Sequence, residues 1–224
     1  MTDFDRVADE YESLCDDAIG FGGRDHAFYL EAKARHLSEL AHRLLGGANV
    51  SALDVGCGAG AIHPYLSFAE LIGVDPSTQL VEAARRTNPT VGYDVGDGTD
   101  LPYEDARFDL VFSVCVLHHV ELDARRRFAL ELARVTRPGG VVAIFEHNPW
   151  NPLTRLAVSR CAFDEEVELL RMRETTRLLE SVELDVAERA FMLFVPWRAL
   201  IVDRALARVP LGAQYYVAAT STRR

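Results

Sequence analysis

Lysine is almost absent from this chain of 224 residues, and its four cysteines are spread widely: Lys33 is the single lysine. The cysteines form no Cys-x-x-Cys pair, which excludes the clustered ligands of a zinc site and favours reduced thiols, so we predict no metal. No apolar run approaches the roughly 20 residues that a membrane-spanning helix needs. Because the N-terminus lacks a basic region followed by an apolar one, we predict a cytoplasmic protein.

Basic charge is also in deficit, since 24 Lys and Arg stand against 34 Asp and Glu, a formal net charge of −10. An acidic surface repels the phosphates of nucleic acids. The densest basic run, Arg125-Arg126-Arg127, is typical of a solvated helix face. We therefore predict a small-molecule partner, no nucleic acid and no integral membrane segment. The sequence leaves monomer and homodimer open.

The order of apolar runs predicts an α/β fold. From Ala52 onward strand-like and helix-like segments alternate, which is typical of a mostly parallel sheet covered by helices on both faces. We predict a Rossmann-like, doubly wound sheet of seven strands, with one antiparallel strand near the C-terminus. The predicted strands are 50–55, 70–74, 90–95, 108–114, 141–145, 186–194 and 214–219. The predicted helices are 59–67, 76–87, 123–135, 174–181 and 197–208, with a short one capped by Asn151.

Residues 1–46 lie outside the alternating pattern and are predicted to form a helical cap over the mouth of the sheet. They contain two predicted helices, 4–14 and 25–45, joined by a glycine-rich loop. We predict that the cap and the core, 47–224, form a single domain over residues 1–224.

A glycine-rich turn follows the first predicted strand. Its glycines stand at alternate positions, Gly56, Gly58 and Gly60, and read G-x-G-x-G. A dinucleotide site has the spacing G-x-G-x-x-G and holds a pyrophosphate at a helix N-terminus. The shorter spacing favours close approach of bare backbone to a nucleoside ligand without phosphate. It counts against an NAD(P)-dependent oxidoreductase, the competing interpretation, which would also need a catalytic Tyr/Lys or metal constellation.

Three acidic residues follow three successive predicted strands, where open α/β sheets bind ligands. Asp75 lies about 20 residues after the first glycine, a spacing at which a carboxylate accepts ribose hydroxyls, and it can also cap the helix that begins at Pro76. Asp54 either faces an amino group of the ligand or bonds the N–H groups of the glycine turn. Asp97, before Gly98, is placed to accept the exocyclic amine of an adenine, although Asp-Gly is also a common turn.

Taken together, six segments stand in the order and at the spacing of a known family. The chain resembles the class I S-adenosylmethionine-dependent methyltransferases, and within them the small-molecule subgroup that includes the ubiquinone and menaquinone C-methyltransferases. The segments are Leu53–Gly60, Gly73–Asp75, Gly96–Asp97, Phe108–Val111, Leu117–His119 and Arg134–Gly140. Phe4-Asp5-x-x-Ala8-x-x-Tyr11 resembles the beginning of the cap in that subgroup.

The resemblance implies S-adenosyl-L-methionine as the cofactor and S-adenosyl-L-homocysteine as its product. It also implies a role for each matching residue. The residues implied to bind the cofactor are Asp54, Gly56 and Gly58 at the methionine portion, Asp75 followed by Pro76 at the ribose, Asp97 with Gly98 at the adenine, Val114 beside the sulfonium and Tyr11 in the cap.

Catalysis of methyl transfer consists largely of holding the acceptor in line with the methyl group, and a base is needed only for a hydroxyl or a protonated amine. His119 and His147 are the candidate bases, because both follow predicted strands and imidazole titrates near pH ~6.5. In the alternative interpretation, one residue of the pair His118-His119 packs under the adjacent helix. Trp150 and Tyr29 are predicted in the acceptor pocket, and a loop anchor is the alternative for Trp150.

We therefore predict an enzyme that transfers a methyl group from S-adenosylmethionine to a small molecule. Residues 147–160 are similar to a segment of methyltransferases from bacterial polysaccharide and natural-product gene clusters, which suggests natural-product, saccharide or lipid-related biosynthesis. A non-catalytic S-adenosylmethionine-binding protein would carry the same cofactor motifs and stays open. The motifs also leave the acceptor atom open among oxygen, nitrogen, carbon and sulfur.

Overall fold

Seven strands form one twisted sheet at the centre of the computed structural model, which describes residues 26–47, 49–161, 167–193 and 199–222. The strands are β1 (Ser51–Val55), β2 (Glu70–Asp75), β3 (Gly92–Val95), β4 (Phe108–Val114), β5 (Thr136–His147), β6 (Leu184–Met192) and β7 (Gln214–Ser221). Their order in the sheet is β3-β2-β1-β4-β5-β7-β6.

The strand directions confirm the predicted mixed sheet. Neighbours from β3 through β5 pair in parallel, whereas β7 pairs antiparallel with both β5 and β6. The chain winds outward from β1 through β2 and β3, and on the other side from β4 to β5. The strand order therefore reverses between β1 and β4, which is where open α/β sheets form a ligand crevice beyond their carboxyl ends.

Helices cover both faces of the sheet. They are α1 (His26–Leu45), α2 (Thr78–Thr87), α3 (Arg125–Val135), α4 (Pro152–Val158), α5 (Met172–Glu180) and α6 (Ala199–Leu206). Alternate residues of β4 point to opposite faces, so Val111 belongs to the core under α3 and α5 while Leu110 and Phe112 belong to the core under α1. None of the described helices is long and apolar enough to cross a membrane.

The prediction of a helix over 59–67 is wrong. A turn and one short 3-10 helix, His63–Tyr65, follow the glycines instead. Gly60 has a φ of +71°, and a Cβ there would lie 2.4 Å from the Tyr93 hydroxyl, so this position is neither helical nor open to another residue. Pro64 adds a residue without an N–H donor, and Leu66 returns to extended backbone.

The predicted stop after α3 is confirmed, but β5 begins earlier than predicted. The helix ends at Val135, directly before Arg137-Pro138-Gly139-Gly140, and the strand begins at Thr136 instead of Val141. The pairing shifts register at this point, from Phe108 opposite Thr136 to Leu110 opposite Val141. Five positions on β5 face two on β4, so three extra residues are accommodated as a bulge, which sequence periodicity does not show.

Two smaller predictions have clear outcomes. Asn151 caps α4, because its side-chain oxygen accepts hydrogen bonds from the backbone N–H groups of Leu153 and Thr154. The second predicted cap helix exists as α1, His26–Leu45. The helix predicted over 4–14 lies outside the described residues.

Helix α1 is attached to the rest of the fold by a buried polar pair as well as by apolar packing. His36 Nε2 lies 3.1 Å from Asp203 Oδ2 on α6, and both residues are buried. On the same helix, Leu37 and Leu40 follow His36 and are fully buried against the sheet. This attachment determines where the N-terminal half of α1 lies, above the carboxyl edge of the sheet.

We predict that Asp203→Ala lowers the free energy of unfolding by about 1–3 kcal/mol, because buried His36 loses its hydrogen-bond partner. The double variant His36→Leu/Asp203→Leu should cost less than the sum of the two single changes. Urea unfolding measures both. Arg35→Ala is the control, since the Arg35–Glu31 pair on the same helix is half exposed and its loss should change stability by less than about 0.5 kcal/mol. An effect of Asp203→Ala no larger than that of the control would contradict the assignment.

Candidate active site

A cavity of about 670 Å³ lies at the carboxyl edge of the sheet, between the strand ends and α1. A volume of this size is typical of a small-molecule site. Eleven of the predicted site residues line it: Asp54, Gly56, Gly58, Asp75, Pro76, Asp97, Gly98, Val114, His119, His147 and Tyr29. Tyr11 lies outside the described residues, and Trp150 is not part of the lining.

The glycine turn forms a flat backbone wall of the cavity. At Gly56 the φ is +80°, and a Cβ would lie 2.5 Å from a methyl group of Val116, so a side chain has no room there. Gly58 has a φ of +52°, and its N–H donates to Asp75 Oδ2 at 2.9 Å. The hydrogen bond ties the turn after β1 to the end of β2, and the turn presents backbone without side chains to a ligand.

Asp54 is a buried carboxylate with one oxygen in use. Its Oδ2 lies 2.9 Å from His63 Nε2, and His63 Nδ1 lies 2.5 Å from the Tyr93 hydroxyl. Within the described part of the chain, Asp54 Oδ1 is buried and has no hydrogen-bond partner. An unpaired buried carboxylate oxygen is costly unless a ligand donates to it. An ammonium group, such as that of the methionine portion of S-adenosylmethionine, would supply the missing hydrogen bond to this oxygen.

The second carboxylate, Asp75, is held by backbone donors on both sides. Oδ2 accepts from Gly58 and Oδ1 accepts from the N–H of Ser77 at 2.9 Å, while the Ser77 hydroxyl caps α2 by accepting from Leu80. Each carboxylate oxygen has a second lone pair, so this arrangement fits the expected hydrogen bonds from two ribose hydroxyls. Ser77 therefore caps α2, and Asp75 is left in the position expected of a ribose-binding carboxylate.

Asp97 lies in an exposed turn, where its Oδ1 accepts from the N–H of Thr99 at 2.9 Å. Gly98 packs against an aromatic ring, because a Cβ at this position would lie 2.6 Å from Cε2 of Phe128. The turn with Asp97 and Gly98, where the resemblance implies adenine binding, therefore packs directly against the edge of the hydrophobic core.

The half of the cavity at the glycine turn has a negative electrostatic environment. Burial raises the pKa of the Cys57 thiol well above its ordinary value, and the charges of Asp54 and Asp75 raise it further. It is the carboxylates of Asp54 and Asp75, and not the burial, that favour a cation here. The two carboxylates, the orphan oxygen of Asp54 and the bare glycine turn thus fit S-adenosylmethionine, whose sulfonium and ammonium groups are cationic.

The other half of the cavity contains a histidine cluster, His118, His119 and His147, beside buried Glu146. The His118 ring centroid lies 4.2 Å from that of His119 and 5.3 Å from that of His147. All three histidines line the cavity. The structure thus brings the two predicted bases together and adds His118 to them.

Glu146 organises the histidine cluster from behind. Its Oε2 lies 2.6 Å from His118 Nδ1, and its Oε1 accepts from the N–H of Leu117 at 2.8 Å. Burial acts to raise the pKa of the Glu146 carboxyl, but the neighbouring His118 and its hydrogen bond hold that pKa below its ordinary value. Sequence analysis missed Glu146 and also His63. The signal for Glu146 was a lone acid inside the apolar run 141–146, because such a residue needs a buried partner.

The segment after β5 contributes to the cavity through α4. Leu153, Thr154, Ala157 and Val158 line it. Trp150, by contrast, is 63% exposed, and the Arg171 guanidinium lies 5.4 Å from the centroid of its ring. The position of Trp150 does not support the predicted acceptor wall, and the loop before it is bonded to the 210–212 turn through Asn148.

Comparisons with known proteins agree with this geometry. A family model described as a methyltransferase domain matches residues 53–144. An uncharacterized 37.1 kDa protein in transposon Tn4556 of Streptomyces fradiae is 33% identical over 218 residues, covering 91% of this chain and 61% of that protein. An O-methyltransferase of Aspergillus sclerotiorum is 29% identical, covering 90% of this chain and 86% of its own. A probable tRNA methyltransferase 9B of Mus musculus is 39% identical over 93 residues, covering 41% of this chain and 20% of its own length.

Among solved structures, a possible histamine N-methyltransferase of Thermotoga maritima has the same fold, with a TM-score of 0.67 at 19% identity and coverage of 97% of this chain and 98% of that one. The chain spans 61% of the length of the Streptomyces relative and 20% of the mouse one. The resemblance to the ubiquinone subgroup stays a prediction. The methyltransferase-domain match over residues 53–144, the sheet order and the cofactor-site geometry together support the class I S-adenosylmethionine-dependent methyltransferases, with S-adenosylmethionine as the cofactor.

Proposed function

We propose that the chain transfers the methyl group of S-adenosylmethionine to a small-molecule acceptor bound beside the histidine cluster. The observation that carries the proposal is that one cavity contains both the predicted cofactor residues and the three histidines. Val114, at the end of β4, lies between these two sets along the sheet edge. A methyl donor on the glycine turn and an acceptor beside the histidines would then share one space closed to bulk water on its sheet side.

When bound, S-adenosylmethionine supplies a methyl group on a positively charged sulfur that is already activated for displacement. The task of the chain is to hold a nucleophile in line at roughly 3 Å and to exclude water. Asp54, Asp75 and the glycine turn would orient the donor. Side chains of α1 and α4, among them Tyr29 and Leu153, would hold the acceptor from the opposite side.

A hydroxyl or ammonium acceptor also needs a base, and we propose His118 with Glu146. An ionised carboxylate only accepts hydrogen bonds, so His118 Nδ1 carries the proton toward Glu146 and Nε2 keeps a lone pair in the neutral ring. At His147 the side-chain amide of Gln214 lies 3.3 Å from Nδ1 and donates to it, which places the proton of the neutral ring on Nε2. The predicted bases His147 and His119 are the alternatives to His118. If His118 is the base, these two would contact the acceptor without deprotonating it.

The acceptor class is chosen on charge and coverage. The net charge of −10 opposes a polyanionic substrate. The relative named as a tRNA methyltransferase matches 41% of this chain, whereas the relative named as an O-methyltransferase matches 90%. These observations support a small molecule, in natural-product, saccharide or lipid-related biosynthesis, over a tRNA.

The first test is transfer of a labelled methyl group into two acceptor pools, a small-molecule extract and unmodified tRNA. We expect label in the small-molecule pool and none in the tRNA. Label in the tRNA alone would overturn the proposed acceptor class. S-adenosylhomocysteine binding without transfer to either pool would instead favour a non-catalytic cofactor-binding protein.

The cofactor half is tested by Asp54→Asn. Removing the charge from the orphan oxygen should weaken S-adenosylhomocysteine binding about 10- to 100-fold in calorimetric titration, the range expected for a charge-assisted hydrogen bond. Asp185→Asn, an identical change at an exposed position of β6, should leave the affinity unchanged. NAD should not bind either protein. Affinity of Asp54→Asn within twofold of the parent, with the fold intact, would remove Asp54 from the site.

The base is tested with His118→Gln, compared with His147→Ala and His119→Ala on the acceptor found in the first test. We expect His118→Gln to lower kcat by about 100-fold or more with unchanged S-adenosylhomocysteine affinity, and the other two to lose less than tenfold. His42→Ala, at an exposed position of α1, is the control. If His118→Gln misfolds, Glu146→Gln provides the second variant, and an unchanged pH–rate profile for it would argue against the pair. A larger loss in His147→Ala would transfer the role to His147.

A further inference from the structure

Four large apolar side chains are exposed on and beside α4, and we call them the α4 face: Trp150, Leu153, Leu156 and Leu211. Each is between 39% and 63% exposed. Leu153 and Leu156 are three positions apart on α4 and share one side of the helix. Asn151 Nδ2 donates to the backbone oxygen of Leu211 at 2.6 Å, which brings the turn at Leu211 against the beginning of α4. Single exposed leucines are ordinary, but several in one patch are typical of an interaction surface.

The α4 face is continuous with the wall of the cavity. Thr154 and Val158 line the cavity and are buried, whereas Leu153 lines the same cavity and is 60% exposed. Helix α4 therefore has one side in the cavity and another in water, with Leu153 at the border. A molecule at this border would contact Leu153 from inside the cavity and the remainder of the α4 face outside it.

Basic residues lie around the α4 face, although the chain as a whole has a net charge of −10. Segment 148–161 contains two arginines and no Asp or Glu. The Arg171 guanidinium lies 5.4 Å from the ring centroid of Trp150. Over the described ranges, no ion pair joins Arg155 or Arg171 to a carboxylate. Glu174 is engaged in capping α5, because its Oε2 accepts from the N–H of Arg171 at 2.7 Å.

This combination favours a membrane surface with anionic headgroups as the partner. Trp and Leu side chains insert at the boundary between headgroups and acyl chains, and arginines beside them attract anionic lipids. The acidic remainder of the protein surface is screened beyond a Debye length of about 10 Å. A second copy of the chain fits less well, because a two-fold contact would place the arginines of one copy against those of the other.

We propose that the α4 face docks on an anionic lipid membrane and presents the cavity to an acceptor held in the lipid layer. The assignment of the acceptor rests on the proposed function, whereas the docking itself does not. A lipid-held acceptor would enter the cavity past Leu153 without being released into water, because that side chain belongs to both surfaces. The docking therefore narrows the acceptor class to amphipathic molecules with an apolar body.

The first test is co-sedimentation of the full chain with vesicles of phosphatidylcholine alone and of an equimolar mixture with phosphatidylglycerol. We expect the mixed vesicles to bind about tenfold or more tightly, and added salt to weaken this binding. Trp150→Ser/Leu156→Ser, at two positions that do not line the cavity, should reduce binding to mixed vesicles by about tenfold or more. Tyr65→Ser/Leu122→Ser, a matched change at exposed positions of other elements, should bind as the parent does. Absence of vesicle binding, or an equal loss in both double variants, would overturn the proposal.

The charge requirement is tested separately with Arg155→Gln/Arg171→Gln. This variant should bind the two kinds of vesicle equally, since the arginines supply the preference for anionic headgroups. Arg35→Gln removes an exposed charge from α1 and should keep the preference. Equal binding of the parent to both kinds of vesicle would contradict the anionic partner.

Two further measurements distinguish the alternatives. Sedimentation velocity without lipid should give the same mass for the parent and for Trp150→Ser/Leu156→Ser. A dimer that this variant dissociates would assign the α4 face to a second copy and overturn the proposal. S-adenosylhomocysteine affinity should be unchanged in the same variant, which verifies that the fold is intact. Because vesicle binding is measured without methyl transfer, docking can fail while transfer persists, and it can succeed where no transfer is found.

Discussion

The hydrogen bond between Asp54 and His63 is the interaction on which the geometry of the site depends. It holds a buried carboxylate at the end of β1, and the second nitrogen of His63 extends the connection to Tyr93 on β3. The three residues span the parallel strands beneath the glycine turn. Gly60 completes the arrangement, because only a residue without a side chain leaves room for the Tyr93 hydroxyl. The conformation of the glycine turn is thus fixed on its protein side by the Asp54–His63–Tyr93 network, and its other side is open to the cavity.

A consequence of this network is that Asp54 offers one fixed oxygen to the cavity and not two. The oxygen bonded to His63 is committed, so the remaining one defines a single direction for a donor. Both oxygens of Asp75 accept backbone hydrogen bonds, from Gly58 and Ser77, so this carboxylate is also held in a fixed direction. Two carboxylates held in this way would orient an adenosyl cation, and in-line transfer requires a fixed orientation.

Much of the fold could be predicted from the sequence because its signals are local. Segment 108–114 is mostly apolar on both of its faces because β4 is covered on both sides, and the glycines after β1 predict a turn with exposed backbone. The helix predicted over 59–67 failed because Gly60 lies against the hydroxyl of Tyr93, a residue distant in the sequence. Glu146 and His118 are 28 positions apart, and Lys33 and Cys115 are 82. Pairs of this kind leave no periodic trace, so composition shows that Lys33 is unusual without showing what it faces.

The two ends of the cavity differ in the groups that they present to a ligand. The end at the glycine turn contains the carboxylates of Asp54 and Asp75 beside backbone without side chains, and these carboxylates favour a cationic group. The other end contains three histidines and an apolar wall. One cavity therefore presents two chemically different ends to its ligands. Since α1 forms one wall of this cavity and is attached to α6 through His36 and Asp203, the shape of the cavity depends on elements outside the glycine turn and the strand ends. The residues of α1 and α4 that line the cavity are therefore positions at which the acceptor end can differ without a change in the cofactor residues.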